Sequence, residues 1–133
     1  MKGEVIHPAG WAKAKGYANG ILVPAGGATL FVAGQIAWDA DQQLVGRGDM
    51  GAQFAQALRN VVAVVEAAGG KPEDIARMTV YVTDKQAYLA RTRDIGAAWK
   101  ELLGRHFPAM ALVQVADLLE EGAQVEIEAT AIL

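Results

Sequence analysis

Two segments of this 133-residue chain alternate strictly in side-chain character, and a strand written that way has two unlike faces. Between Arg77 and Thr83, Met78, Val80 and Val82 point one way, and Thr79, Tyr81 and Thr83 the other. From Gln124 to Ile132, Val125, Ile127, Ala129 and Ala131 share one face, while Glu126, Glu128, Thr130 and Ile132 share the opposite one. The apolar faces demand helices. The other faces, with Thr79, Tyr81 and Ile132, are not those of a fully solvated sheet and predict cover from further copies of the chain.

The helices are legible as well. From Met50 to Ala68, Phe54, Leu58, Val61, Val62 and Val65 recur at helical spacing, with Asp49 as the expected N-cap and Gly69-Gly70 as the stop. Asp84 is placed to cap a second helix running to about Leu103, with Tyr88, Ile95, Ala98, Trp99 and Leu102 on one face and Gly104 closing it. Nearer the N-terminus, Ile21-Leu22-Val23 and Thr29 to Ala33 flank Pro24-Ala25-Gly26-Gly27, the pattern of a hairpin. A further strand is expected around Leu112 to Val115. The expected fold is α+β, in the order β-β-α-β-α-β, with two helices on one sheet face and one domain spanning residues 1–133.

Composition narrows the chemistry. There is no cysteine, which excludes disulfides, thiolate nucleophiles and Cys-ligated metal sites. The two histidines, His7 and His106, form no metal-binding spacing, so no metal or other cofactor is expected. A net charge of −3 with scattered basic residues argues against nucleic acid as a partner. No apolar run approaches the ~20 residues needed to cross a bilayer, and the opening residues carry no secretion signal, so no membrane partner and a cytoplasmic location are expected.

Six phrases, in order, carry a resemblance. They are Gly16-Tyr17-Ala18-Asn19-Gly20, Phe31 to Ile36, Gln56 to Val61 continuing through Glu66-Ala67-Ala68-Gly69, Thr79 to Asp84, Phe107-Pro108-Ala109, and Val125 to Ala129. Together they resemble the RidA/YjgF family across nearly the whole chain. The resemblance implies a chorismate-mutase-like fold, a homotrimer, and a small-molecule ligand held in clefts between subunits. In active members an enamine or imine is hydrolysed to a 2-oxo acid and ammonia.

Carried over residue by residue, the resemblance assigns Glu126 to positioning the attacking water, and Tyr17 joins it as the second catalytic candidate. Gly34, Ala109, Met110 and Leu112 fall at substrate-binding positions. Met110 stands where the family has an arginine whose planar fork holds the substrate carboxylate. Leu112 stands where a cysteine often sits, and the asparagine of the second helix has no clear counterpart. The implied cleft is thus more apolar than in active members.

On pattern alone, Glu126 and Glu128 read either as a solvated strand face or as a coupled acid-base pair; the resemblance favours a site role for Glu126 only. Arg105-His106 reads either as a helix-end charge pair or as a replacement for the missing cation. Two functions follow: hydrolysis of an enamine or imine on a different substrate, or small-molecule binding without catalysis.

Overall fold

The structure, a computed structural model, describes residues 3–133. Strands β1 (Glu4–Ile6) and β2 (Gly20–Leu22) form a ribbon of their own, and β3 (Thr29–Gln35), β4 (Ile75–Val82), β5 (Ala109–Gln114) and β6 (Val125–Ile132) form a sheet in the order β3-β6-β4-β5. Helix α1 (Met50–Ala67) follows β3, and α2 (Lys85–Leu89) and α3 (Thr92–Leu103) link β4 to β5. β4 and β5 run parallel while the other sheet pairs are antiparallel. A parallel pair needs a crossover, and α2–α3 supplies it.

Alternation in β4 and β6 places side chains as the sequence predicts. Met78, Val80 and Val82 of β4 and Val125, Ile127, Ala129 and Ala131 of β6 are buried against Phe54, Leu58, Val61 and Val65 of α1 and Ile95 and Trp99 of α3. Asp49 caps α1, its carboxylate accepting from the Ala52 amide at 3.1 Å. The opposite sheet face carries no helix, and Phe31 stands there 79% exposed.

Two expectations are corrected. The segments around Ile21–Val23 and Thr29–Ala33 do not form a hairpin: β2 pairs with β1, and β3 with β6. The reason lies outside the turn, because the Ala18 amide donates to the Pro108 carbonyl at 3.0 Å and Ala18 bridges Ala109, drawing the ribbon's base to the β5 edge. The second helix is broken in two at Ala90–Arg91. Arg91 leaves helical dihedrals, and its guanidinium bonds both Asp49 (3.0 Å) and Asp94 (2.8 Å), fastening the start of α3 to the N-cap of α1.

Inside α1 one polar side chain is fully buried. Gln53 donates to the Gly46 carbonyl (3.2 Å), the Gly122 carbonyl (3.0 Å) and Gln124 Oε1 (3.3 Å), and accepts from the Gln124 amide at 2.9 Å. A buried amide is tolerated only when satisfied in this way.

Candidate functional site

Glu126 and Gly34 meet on the open sheet face. Glu126 sits opposite Tyr81 in the β4–β6 register, hence on the outward side, and β3 shifts register between Val32 and Gln35 beside it. A Cβ added to Gly34 would land on the Glu126 carboxylate, so glycine is what lets that side chain lie flat against β3. Both residues line a cavity of about 370 Å³ whose wall includes Gln35, Ile36, Trp38 and Glu120.

That wall is fixed from α1. Asn60 Nδ2 donates to the carbonyls of Ile36 (3.0 Å) and Trp38 (2.8 Å), while Gln56 Nε2 donates to the Trp38 carbonyl (3.2 Å) and to Asn60 Oδ1 (3.0 Å). Sequence reasoning did not single out these two side chains. Their signal is present in the phrase Gln56 to Val61, where two amide residues lie one helical turn apart.

On the same face, the Tyr81 hydroxyl donates to Glu128 Oε1 at 2.6 Å. That hydrogen bond, aided by desolvation and by the negative charges of Glu128 and Glu126, holds the phenol above its ordinary pKa. Glu128 is therefore engaged by tyrosine, whereas Glu126 faces the cavity beside Gly34.

Met110 and Leu112 lie on the other side of the sheet. Their register partners in β4 are the inward-facing Met78 and Val80, and both pack against the core. Met110 also lines a separate cavity of about 410 Å³, with Phe54, Tyr88, Trp99, Phe107 and Arg105 around it. Burial alone raises the Tyr88 phenol pKa. Trp99 and Phe107 stack with centroids 5.9 Å apart. Lys100 and Arg105 line this cavity too, and neither makes an ion pair or side-chain hydrogen bond with another described residue.

His106 has a structural task. Its Nε2–H donates to the Ile75 carbonyl at 2.6 Å, and its own carbonyl accepts from Trp99 Nε1 at 3.1 Å. Of the Arg105-His106 pair, only Arg105 lines the Met110 cavity.

Tyr17 is 43% exposed and lines a third cavity of about 410 Å³ with Val5, His7, Trp11 and Asn19, while of its neighbours Gly16 lines the Met110 cavity and Ala18 pairs with the Pro108–Ala109 backbone. The loop before it is held by His7, whose Nε2–H donates to the Trp11 carbonyl while Nδ1 accepts from Asn19, both at 3.2 Å. Within one chain, then, Ala109 and Met110 sit at the start of β5 with Ala18 beside Ala109, Glu126 and Gly34 lie across the sheet, and Tyr17, Ala109 and Leu112 line neither the Met110 cavity nor the Glu126 cavity. No group of three or more metal-ligating side chains occurs among the described residues, and no described helix is long and apolar enough to cross a membrane.

A four-stranded mixed sheet with helices on one face, an open second face and cavities on both sides defines a small α+β protein built around its sheet. The endoribonuclease L-PSP family profile matches residues 11–133, and the chain belongs to this family, the RidA/YjgF group, with its chorismate-mutase-like fold. The 2-iminobutanoate/2-iminopropanoate deaminase of Salmonella typhimurium is 37% identical over 109 residues, covering 80% of each chain. A Yersinia pestis protein of unknown function from the conserved Rid family, YyfB, superposes with a TM-score of 0.89 at 32% identity over 100% of both chains, ribbon included. The YjgF gene product of Escherichia coli gives a TM-score of 0.66 at 35% identity over 87% of each chain.

Proposed function

We propose that this protein binds a small metabolite in clefts formed between copies of a homotrimer and hydrolyses a carbon–nitrogen double bond there. The observation that carries the reading is the seating of Glu126 over Gly34 beside an open cavity. In the proposed step Glu126 takes a proton from water as the water oxygen attacks the imine carbon, and passes it to the nitrogen. The proton of the new hydroxyl then moves through Glu126 to the amino group, so that the carbon–nitrogen bond breaks and ammonia leaves as the carbonyl forms. Met110 and the aromatic cavity around it serve the body of the substrate, and Tyr17, in the loop that Ala18 fastens to β5, is a further contact. The likeness to a 2-iminobutanoate/2-iminopropanoate deaminase supports the reaction class. Met110 in place of a carboxylate-holding arginine supports a substrate other than a 2-imino acid.

The test is hydrolysis of imines generated in situ, from 2-iminopropanoate and 2-iminobutanoate to imines of apolar amines, with the parent protein and its Glu126→Ala variant. Faster imine loss that disappears with Glu126 upholds the reading. A second reading, ligand binding without catalysis, is favoured by the same Met110, which removes a charge-assisted contact worth about 1.5–3 kcal/mol. It predicts no acceleration with any imine, together with measurable binding in the Met110 cavity.

A further inference from the structure

The ribbon of β1 and β2 bonds to no strand of the main sheet. A two-stranded ribbon by itself is marginal in water, and this one leaves Val5 64% and Leu22 58% exposed. At the far side of the molecule, β3 bonds β6 along one edge and no described strand along the other. Unpaired edges of this kind are normally covered.

β2 and β3 are written as hairpin partners, yet one copy cannot close that hairpin while Ala18 stays where it is. The other edge of Ala109 is taken by Arg77 of β4, so Ala18 lies outside β5, and the vacant slot beside β3 lies outside the opposite edge. Five strand spacings of about 4.8 Å separate the two positions, about 24 Å. The four Cα–Cα steps from Ala18 to Leu22 reach about 14 Å at full extension. The connection from Val23 to Ala28 is accordingly open: Gly26 and Gly27 adopt φ of 110° and 83°, and Ala28 bonds Leu133 in both directions. Every copy thus offers a strand with a free edge, and a sheet edge lacking that strand.

We propose that β2 of one copy pairs antiparallel with the free edge of β3 in a second copy, so that the ribbon is exchanged between copies of this chain. The exchange recovers between chains the pairing that is unreachable within one, and it covers the β3 edge.

The absence of cysteine makes the test clean. Leu22→Cys and Thr29→Cys face one another in the register the hairpin pattern sets, and Leu22→Cys with Phe31→Cys tests a register two residues away. All three positions are exposed, so the fold tolerates the changes. After mild oxidation of dilute protein, the double variants should run as covalent multimers on a non-reducing gel. A mixture of singly substituted chains should also give a mixed disulfide pair. A double variant that closes its disulfide within a chain of monomer size would overturn the exchange. So would the failure of both pairs to form any disulfide.

Discussion

The Glu126 carboxylate occupies the space where a side chain on Gly34 would begin. β6 supplies the acid and β3 supplies the absence of a side chain that seats it. Gly34→Ala should therefore act on the acid more than on the fold. Its Cβ meets the mobile end of a partly exposed side chain, so the melting temperature should change by no more than about 2–4 °C, on the order of 0.5 kcal/mol. Imine hydrolysis should fall towards the Glu126→Ala level. Thermal melts beside the coupled assay separate the two effects.

Met110→Arg supplies a carboxylate-binding fork at the position that the resemblance equates with the family's arginine. The change should raise hydrolysis of 2-iminobutanoate by about 10- to 100-fold, the equivalent of about 1.5–3 kcal/mol for a charged hydrogen-bond pair. A variant that folds and gains nothing would mean that the cavity has diverged beyond this one residue.

Gln53 should be among the costliest polar residues to lose. Gln53→Ala removes four hydrogen bonds and strands the Gly122 carbonyl and the Gln124 amide at the start of β6. A destabilisation of roughly 2 kcal/mol is expected, because the groups left unsatisfied are only partly buried. Urea unfolding should show the loss as a lower midpoint at unchanged slope.

Tyr81 sets a pH dependence. Its folded pKa lies above the ordinary 10.0, because its proton is held by Glu128. The folded state thus keeps this proton where the unfolded chain loses it: the contribution is complete below pH 10 and fades as pH rises through the folded value. Absorbance titration at alkaline pH should show a late-titrating tyrosine that moves down in Glu128→Gln.

The sheet and helices were legible because their signals are local. Alternation in β4 and β6 and the 3.6-residue period of α1 state which side chains are buried, and Asp49 announces where α1 begins. The ribbon was not legible, since its placement is decided by a backbone bond from Ala18 to Pro108, ninety residues along the chain. The break at Arg91 escaped for a similar reason: no Gly or Pro marks it, and it is held by two carboxylates, one of them on α1's cap. At the candidate site, the family resemblance gave Glu126 and Gly34 separate roles, and their contact was not legible because it depends on the β3–β6 register. Gln53 could have been noticed, for it lies on the buried stripe between Met50 and Ala57.

Glu126 and Met110 stand on opposite sides of one sheet, and this has a thermodynamic consequence for the proposed site. A ligand touching both must draw them from two different copies, so it binds the assembly and not the lone chain. By mass action such a ligand holds the copies together, and its apparent affinity weakens as the protein is diluted below the dissociation constant of the assembly. Turnover per chain would then vary with protein concentration, which makes the order of the concentration dependence a readout of how many copies build one site.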